Sequence, residues 1–94
     1  MVIGVCSLEL HLPGNGSLKG KRQVIKSLTA RLRREFNVSV AEVGALDAWQ
    51  SAVVGVVCVS NDRDYVHGLL TRAAQWVDES RLDCDLVDYH IEIL

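Results

Sequence analysis

An α+β fold built from six elements in the order βαββαβ is predicted by three features of the sequence. Both ends alternate apolar and polar residues with period two, two interior stretches repeat apolar residues at helical spacing, and a β-branched run lies between those stretches. With 94 residues, 49% of them apolar, the chain has room for one core and enough apolar surface to hold it without disulfides or a metal. Residues 1–94 are therefore expected to form a single domain.

The first strand is expected over Val2 to Leu12, where Cys6, Leu8, Leu10 and Leu12 share one side and Ser7, Glu9 and His11 the other. Pro13-Gly14-Asn15-Gly16 stops it. Ser17 is suited to cap a helix running to Phe36, in which Val24, Ile25, Leu28, Leu32 and Phe36 fall on one arc when each residue is placed about 100° on from the last. Val38 to Val43 resumes the alternation, and Gly44 to Ala48 makes a turn. Trp49 to Val59 is apolar at both parities, which predicts a central strand covered on both faces. Asp62 and Asp64 suit the positive end of a second helix, Tyr65 to Ser80, with Val66, Leu69, Leu70, Ala73, Trp76 and Val77 at helical spacing. Leu86 to Leu94 closes the chain as a strand with Val87, Tyr89, Ile91 and Ile93 on one side.

That order, with a tight link between strands two and three, is the ferredoxin-like arrangement: a four-stranded antiparallel sheet carrying both helices on one face. The other face has no cover within the domain. Ile3, Val5 and one parity of the Val53 to Val59 run would line it, and an aliphatic face of that kind predicts a homo-oligomer.

Charge is unevenly placed. Seven of the ten Lys and Arg residues and one of the twelve Asp and Glu residues fall between Ser17 and Phe36, so a net charge of −2 conceals a basic helix in an acidic remainder. On the helical wheel Arg22, Lys26 and Arg33 lie within about 40° of one another, with Lys19 just beyond. Arg22, Lys26 and Arg33 are expected to be the principal phosphate contacts of a polyanion-binding surface, with Lys19, Lys21, Arg31 and Arg34 as supports. A solvated or partner-facing polar surface is the competing explanation, but such a face more often mixes signs, because like charges four residues apart repel.

Other motifs point away from catalysis. Gly14 to Lys21 resembles a phosphate-binding loop but has five residues between Gly14 and the Gly20-Lys21 pair where a P-loop has four, and Arg22 stands where Ser or Thr is needed. The glycines leave open a weaker anion site at the helix start. Neither Val2 to Leu12 nor Ala52 to Val59 contains an aromatic residue, so the base-stacking sheet of an RNA-recognition motif is ruled out and any RNA contact must use the helix. His11, His67 and His90 fall on separate elements, and Cys6, Cys58 and Cys84 lack metal spacing. The cysteines read as small core residues, and no cofactor, metal or catalytic residue is expected. Trp49 and Trp76 read as core or interface anchors. The apolar N-terminus lacks a basic n-region, and no apolar run approaches the ~18 residues of a membrane span, which predicts a soluble cytoplasmic protein without membrane contact.

Four segments carry a family likeness. Ser17-Leu18-Lys19-Gly20-Lys21-Arg22, the stretch Arg31 to Val43, the step Asp47-Ala48-Trp49-Gln50 and the end Val59-Ser60-Asn61-Asp62 together resemble the bacterial YlxP-like proteins over nearly the whole chain. The resemblance implies a small ferredoxin-like domain of unknown function and assigns no catalytic residue. Such proteins are commonly encoded beside translation factors, which implies a role near ribosomal RNA or ribosome-associated proteins by association alone.

Two functions follow as expectations. The first is a non-enzymatic domain that binds RNA, ribosomal RNA foremost, through the basic helix. The second is an oligomeric scaffold that associates through its open sheet face and docks an acidic protein on the helix.

Overall fold

The computed structural model describes residues 1–80 and 82–94. Its elements are β1 (Val2–His11), α1 (Leu18–Glu35), β2 (Ser39–Gly44), β3 (Ser51–Ser60), α2 (Arg63–Glu79) and β4 (Asp85–Ile93). The four strands form one antiparallel sheet in the order β2-β3-β1-β4. This is the ferredoxin-like βαββαβ fold that the periodicity predicts.

Each helix starts where the sequence offers a cap. Ser17 is extended, and its Oγ accepts from Gly20 N at 3.0 Å. Asp62 Oδ1 accepts from Asp64 N and Tyr65 N, which starts α2 two residues earlier than the apolar spacing implies. The β-branched run is shorter than expected at its beginning: Trp49 lies outside β3, and Leu12 N donates to Gln50 O, tying the turn before β3 to the end of β1.

One sheet face is packed by Gly4, Cys6, Leu8 and Leu10 of β1, Val40 of β2 and Ala52, Val54, Val56 and Cys58 of β3. Helix α2 lies over β1, β3 and β4, and α1 lies over the edge strand β2. Leu28 and Leu32 of α1 and Val66 and Leu70 of α2 are wholly buried against that face. Gly4 permits the close approach of α2, because a Cβ there would collide with Val66 Cγ1 and lie 2.7 Å from Leu70 Cδ1. All three cysteines are free and buried in the core.

Parity on β3 is now decided. Ala52, Val54, Val56 and Cys58 turn inward, so Val53, Gly55, Val57 and Val59 belong to the uncovered face with Ile3 and Val5 of β1, and this strand is covered on one side only within the chain. On β4 the expected alternation fails at one residue. A register shift pairs Leu10 with Leu86 and Glu9 with Asp88, which leaves Val87 unpaired and 65% exposed, away from the side it was expected to share with Ile91 and Ile93.

Candidate nucleic-acid interface

Seven basic residues of α1 were expected to form one surface, and the structure divides them. Lys21 is 1% exposed and cannot support a phosphate contact. Its Nζ donates to Ala45 O at 2.7 Å, Ser51 O at 3.0 Å and Leu46 O at 3.3 Å, and lies 2.8 Å from Glu42 Oε2. An ammonium has three protons and here meets four acceptors. The four share those protons, and the carboxylate at 2.8 Å adds charge attraction to the carbonyl contacts. The ammonium thus closes the turn between β2 and β3 onto the start of α1. Ala45, whose carbonyl makes the shortest of these bonds, has φ 55°, a left-handed conformation that disfavours any residue but glycine.

By charge Lys21 belongs with the surface cations of α1, and by position it does not. It stands four residues before Ile25, seven before Leu28 and eleven before Leu32, all buried, and so continues the core stripe of the helix. Glu42 has the inward parity of Val40 on β2. A lysine on one apolar stripe and a glutamate on another is the signal that could have identified the pair.

Lys19, Arg22, Lys26, Arg31, Arg33 and Arg34 are all exposed. Among the described residues the only ion pair within 4.0 Å is Lys21–Glu42, so none of these six cations is neutralised by a neighbouring carboxylate. Arg33 has a second task, since its Nη2 donates to Val40 O at 3.1 Å and covers part of the β2 edge. Arg33 and Arg34 sit in the last turn, where positive charge complements the helix dipole. Lys19, Arg22 and Lys26 have no such explanation. They occupy a helix whose first turn has no acidic residue, and Arg22 and Lys26 repel each other four residues apart.

Carboxylates stand beside the glycine-rich turn. Its cavity of about 470 Å³ at the start of α1 includes Asp83 and Asp85 in its wall, so its charge opposes a phosphate. Asn15 braces the turn, its Nδ2 donating to Ser17 O at 2.8 Å and to Trp49 O at 2.6 Å. Trp49 itself is 55% exposed.

Burial pushes the Cys6 thiol up to about 11 and raises that of Cys58; Cys84 is raised by burial first and then by Asp85 and Asp83. These thiols are held protonated at neutral pH, which disfavours them as nucleophiles. His11 Nδ1 lies 3.0 Å from Gln50 O in the braced turn, and His67 and His90 are exposed. Among the described residues no three His, Cys, Asp or Glu side chains gather as a metal site, and no helix is long and apolar enough to cross a membrane.

Behind the basic helix, on the far side of the sheet, Val43 and Val57 are exposed around a shallow depression of about 250 Å³ at Gly55, and Val59 is exposed further along β3. Glycine creates that depression by omitting a side chain beside Val43, whose Cγ1 would lie 3.3 Å from an added Cβ.

Comparison with known proteins agrees with the resemblance read from the sequence. The family model described as "Protein of unknown function (DUF503)" matches residues 3–91. The chain is also similar to the uncharacterized protein YlxP of Bacillus subtilis (strain 168), 36% identical over 77 residues that cover 82% of this chain and 84% of that protein.

Proposed function

We propose that this chain, which belongs to the DUF503 family of proteins of unknown function, is a non-enzymatic RNA-binding domain that holds the phosphate backbone along the outer face of α1. The supporting observation is the row Lys19, Arg22 and Lys26, exposed and without carboxylate partners among the described residues, with Lys19 set against the helix dipole in the first turn and Arg22 and Lys26 set against each other. A helix that carries such repulsion gains when phosphates neutralise it. Arg33 continues that row toward the other end of α1, about 20 Å from Lys19 at 1.5 Å per residue, and Arg31 and Arg34 add positive charge on the flank nearer α2. The domain positions RNA and does not transform it, and ribosomal RNA is the first ligand to try.

The test is binding of ribosomal RNA across a salt series, with Arg22→Glu/Lys26→Glu beside the parent protein. Arg33 is left intact because it also bonds the β2 edge. The parent should lose affinity with a slope of about −0.7 in log affinity against log salt for each single-strand phosphate neutralised, and the variant should bind far more weakly. A flat salt dependence, or equal binding by both proteins, rejects the proposal.

A second function is favoured by a different observation, the aliphatic sheet face around Val43, Val57 and Val59. A second copy of the chain packed there would form an oligomer displaying two basic helices outward. The two functions are compatible, since sheet face and helix look in opposite directions.

A further inference from the structure

We infer that the C-terminal end of the basic helix holds one unpaired nucleobase, stacked on Trp76 between Arg31 and Arg34, so that the nucleic acid bound is single-stranded. This inference rests on the polyanion function proposed above and specifies its ligand. A cavity of about 280 Å³ is lined there by Arg31, Arg34, Glu35 and Trp76. It lies just below the roughly 300–1,000 Å³ of drug-sized sites and suits one planar ring.

Three features point to a base instead of a further phosphate. Trp76 of α2 is half-buried and packed on the core, and its indole meets Phe36 edge-to-face with centroids 6.5 Å apart and planes at 84°. The ring is therefore fixed beforehand, and little side-chain entropy is lost when a base stacks on it. Arg31 and Arg34 are three residues apart and share a face of α1, and neither makes an ion pair or side-chain hydrogen bond among the described residues. Their guanidinium planes can stack on a base or bond the phosphates either side of it. Glu35 decides between the alternatives: its carboxylate repels a phosphate in the same cavity but accepts from the N–H donors of a base edge. A duplex keeps its bases stacked and would offer this site nothing to hold.

The experiment uses the full chain with Trp49→Phe, which leaves Trp76 as the only tryptophan of the two. Its fluorescence is followed while a single-stranded ribo-oligonucleotide or an RNA duplex of equal phosphate count is added. Single-stranded RNA should quench Trp76 and the duplex should not. In binding assays Trp76→Leu should weaken single-strand affinity about 5- to 150-fold, with Trp76→Phe recovering much of it and duplex affinity changing less than about twofold. Because Trp76 also packs on the core, the fluorescence measurement stands independently of how well the leucine variant folds. Salt-dependent binding of both RNAs without quenching overturns the base site and leaves the basic helix standing. No binding of either RNA overturns both.

Discussion

Lys21 Nζ and Glu42 Oε2 lie 2.8 Å apart beneath the turn joining β2 to β3, with Lys21 1% exposed. Charge in this domain therefore has two uses: one lysine of α1 is spent inside the fold, and its neighbours Lys19, Arg22 and Lys26 remain outside it. Removing Lys21 would strand a carboxylate and withdraw the donor from three backbone carbonyls at once.

Lys21→Met is expected to lower stability by about 3 kcal/mol, near the bottom of the range for a broken buried pair because the Glu42 side chain retains 17% exposure to water. Glu42→Gln keeps the carbonyl contacts and should cost about 1 kcal/mol. Denaturant midpoints at unchanged m would measure both. A loss below about 1 kcal/mol for Lys21→Met would mean that the ammonium does not hold the turn.

Gly4→Ala should destabilise by about 1–3 kcal/mol, although it adds only a methyl group. The added carbon would meet Val66 and Leu70, wholly buried side chains of α2 that would have to shift to admit it. Equilibrium unfolding is the measurement, and an unchanged midpoint would show that α2 can lift from β1 without cost.

Alkaline pH should weaken the fold through Cys6. Its thiol, ordinarily at 9.0, is pushed up to about 11 by burial, so the folded chain holds a proton that the unfolded chain releases first. The contribution is intact below about 9 and is lost as pH rises from there through about 11. Cys58 and Cys84 shift in the same direction and add to the decline. Urea midpoints between pH 8 and 11 should fall less steeply for Cys6→Ala than for the parent; parallel curves would assign the decline to other groups.

Val57→Lys tests the sheet face. Val57 is 36% exposed and lines the depression at Gly55, so a charge there should dissociate any oligomer built on that face while leaving the monomer folded. Light scattering should give a smaller mass for the variant than for the parent. The same mass for both would remove the sheet face as an oligomer contact.

Most of the fold was legible because a half-buried strand and a surface helix each write their period into the chain. Ser17 and Asp62 announced their helices, and Leu28, Leu32, Leu69 and Leu70 are buried as their spacing required. Val87 was not legible, since a bulge depends on how two distant strands slide past each other and not on the residues of either. Of the candidate site, the clustering of positive charge on α1 was visible, but Lys21 was grouped with it by residue type.

By itself the sequence determined the order of elements, the core stripes and the helix on which the cations sit, because these depend on periods of 2 and 3.6 within one segment. Tertiary structure alone decided that Lys21 faces Glu42, that odd-numbered residues of β3 remain uncovered, and that Trp76 of α2 shares a cavity with Arg31 and Arg34 of α1. Each of those facts is a distance between segments far apart in the chain, set when the helices pack on the sheet and recorded in neither segment alone.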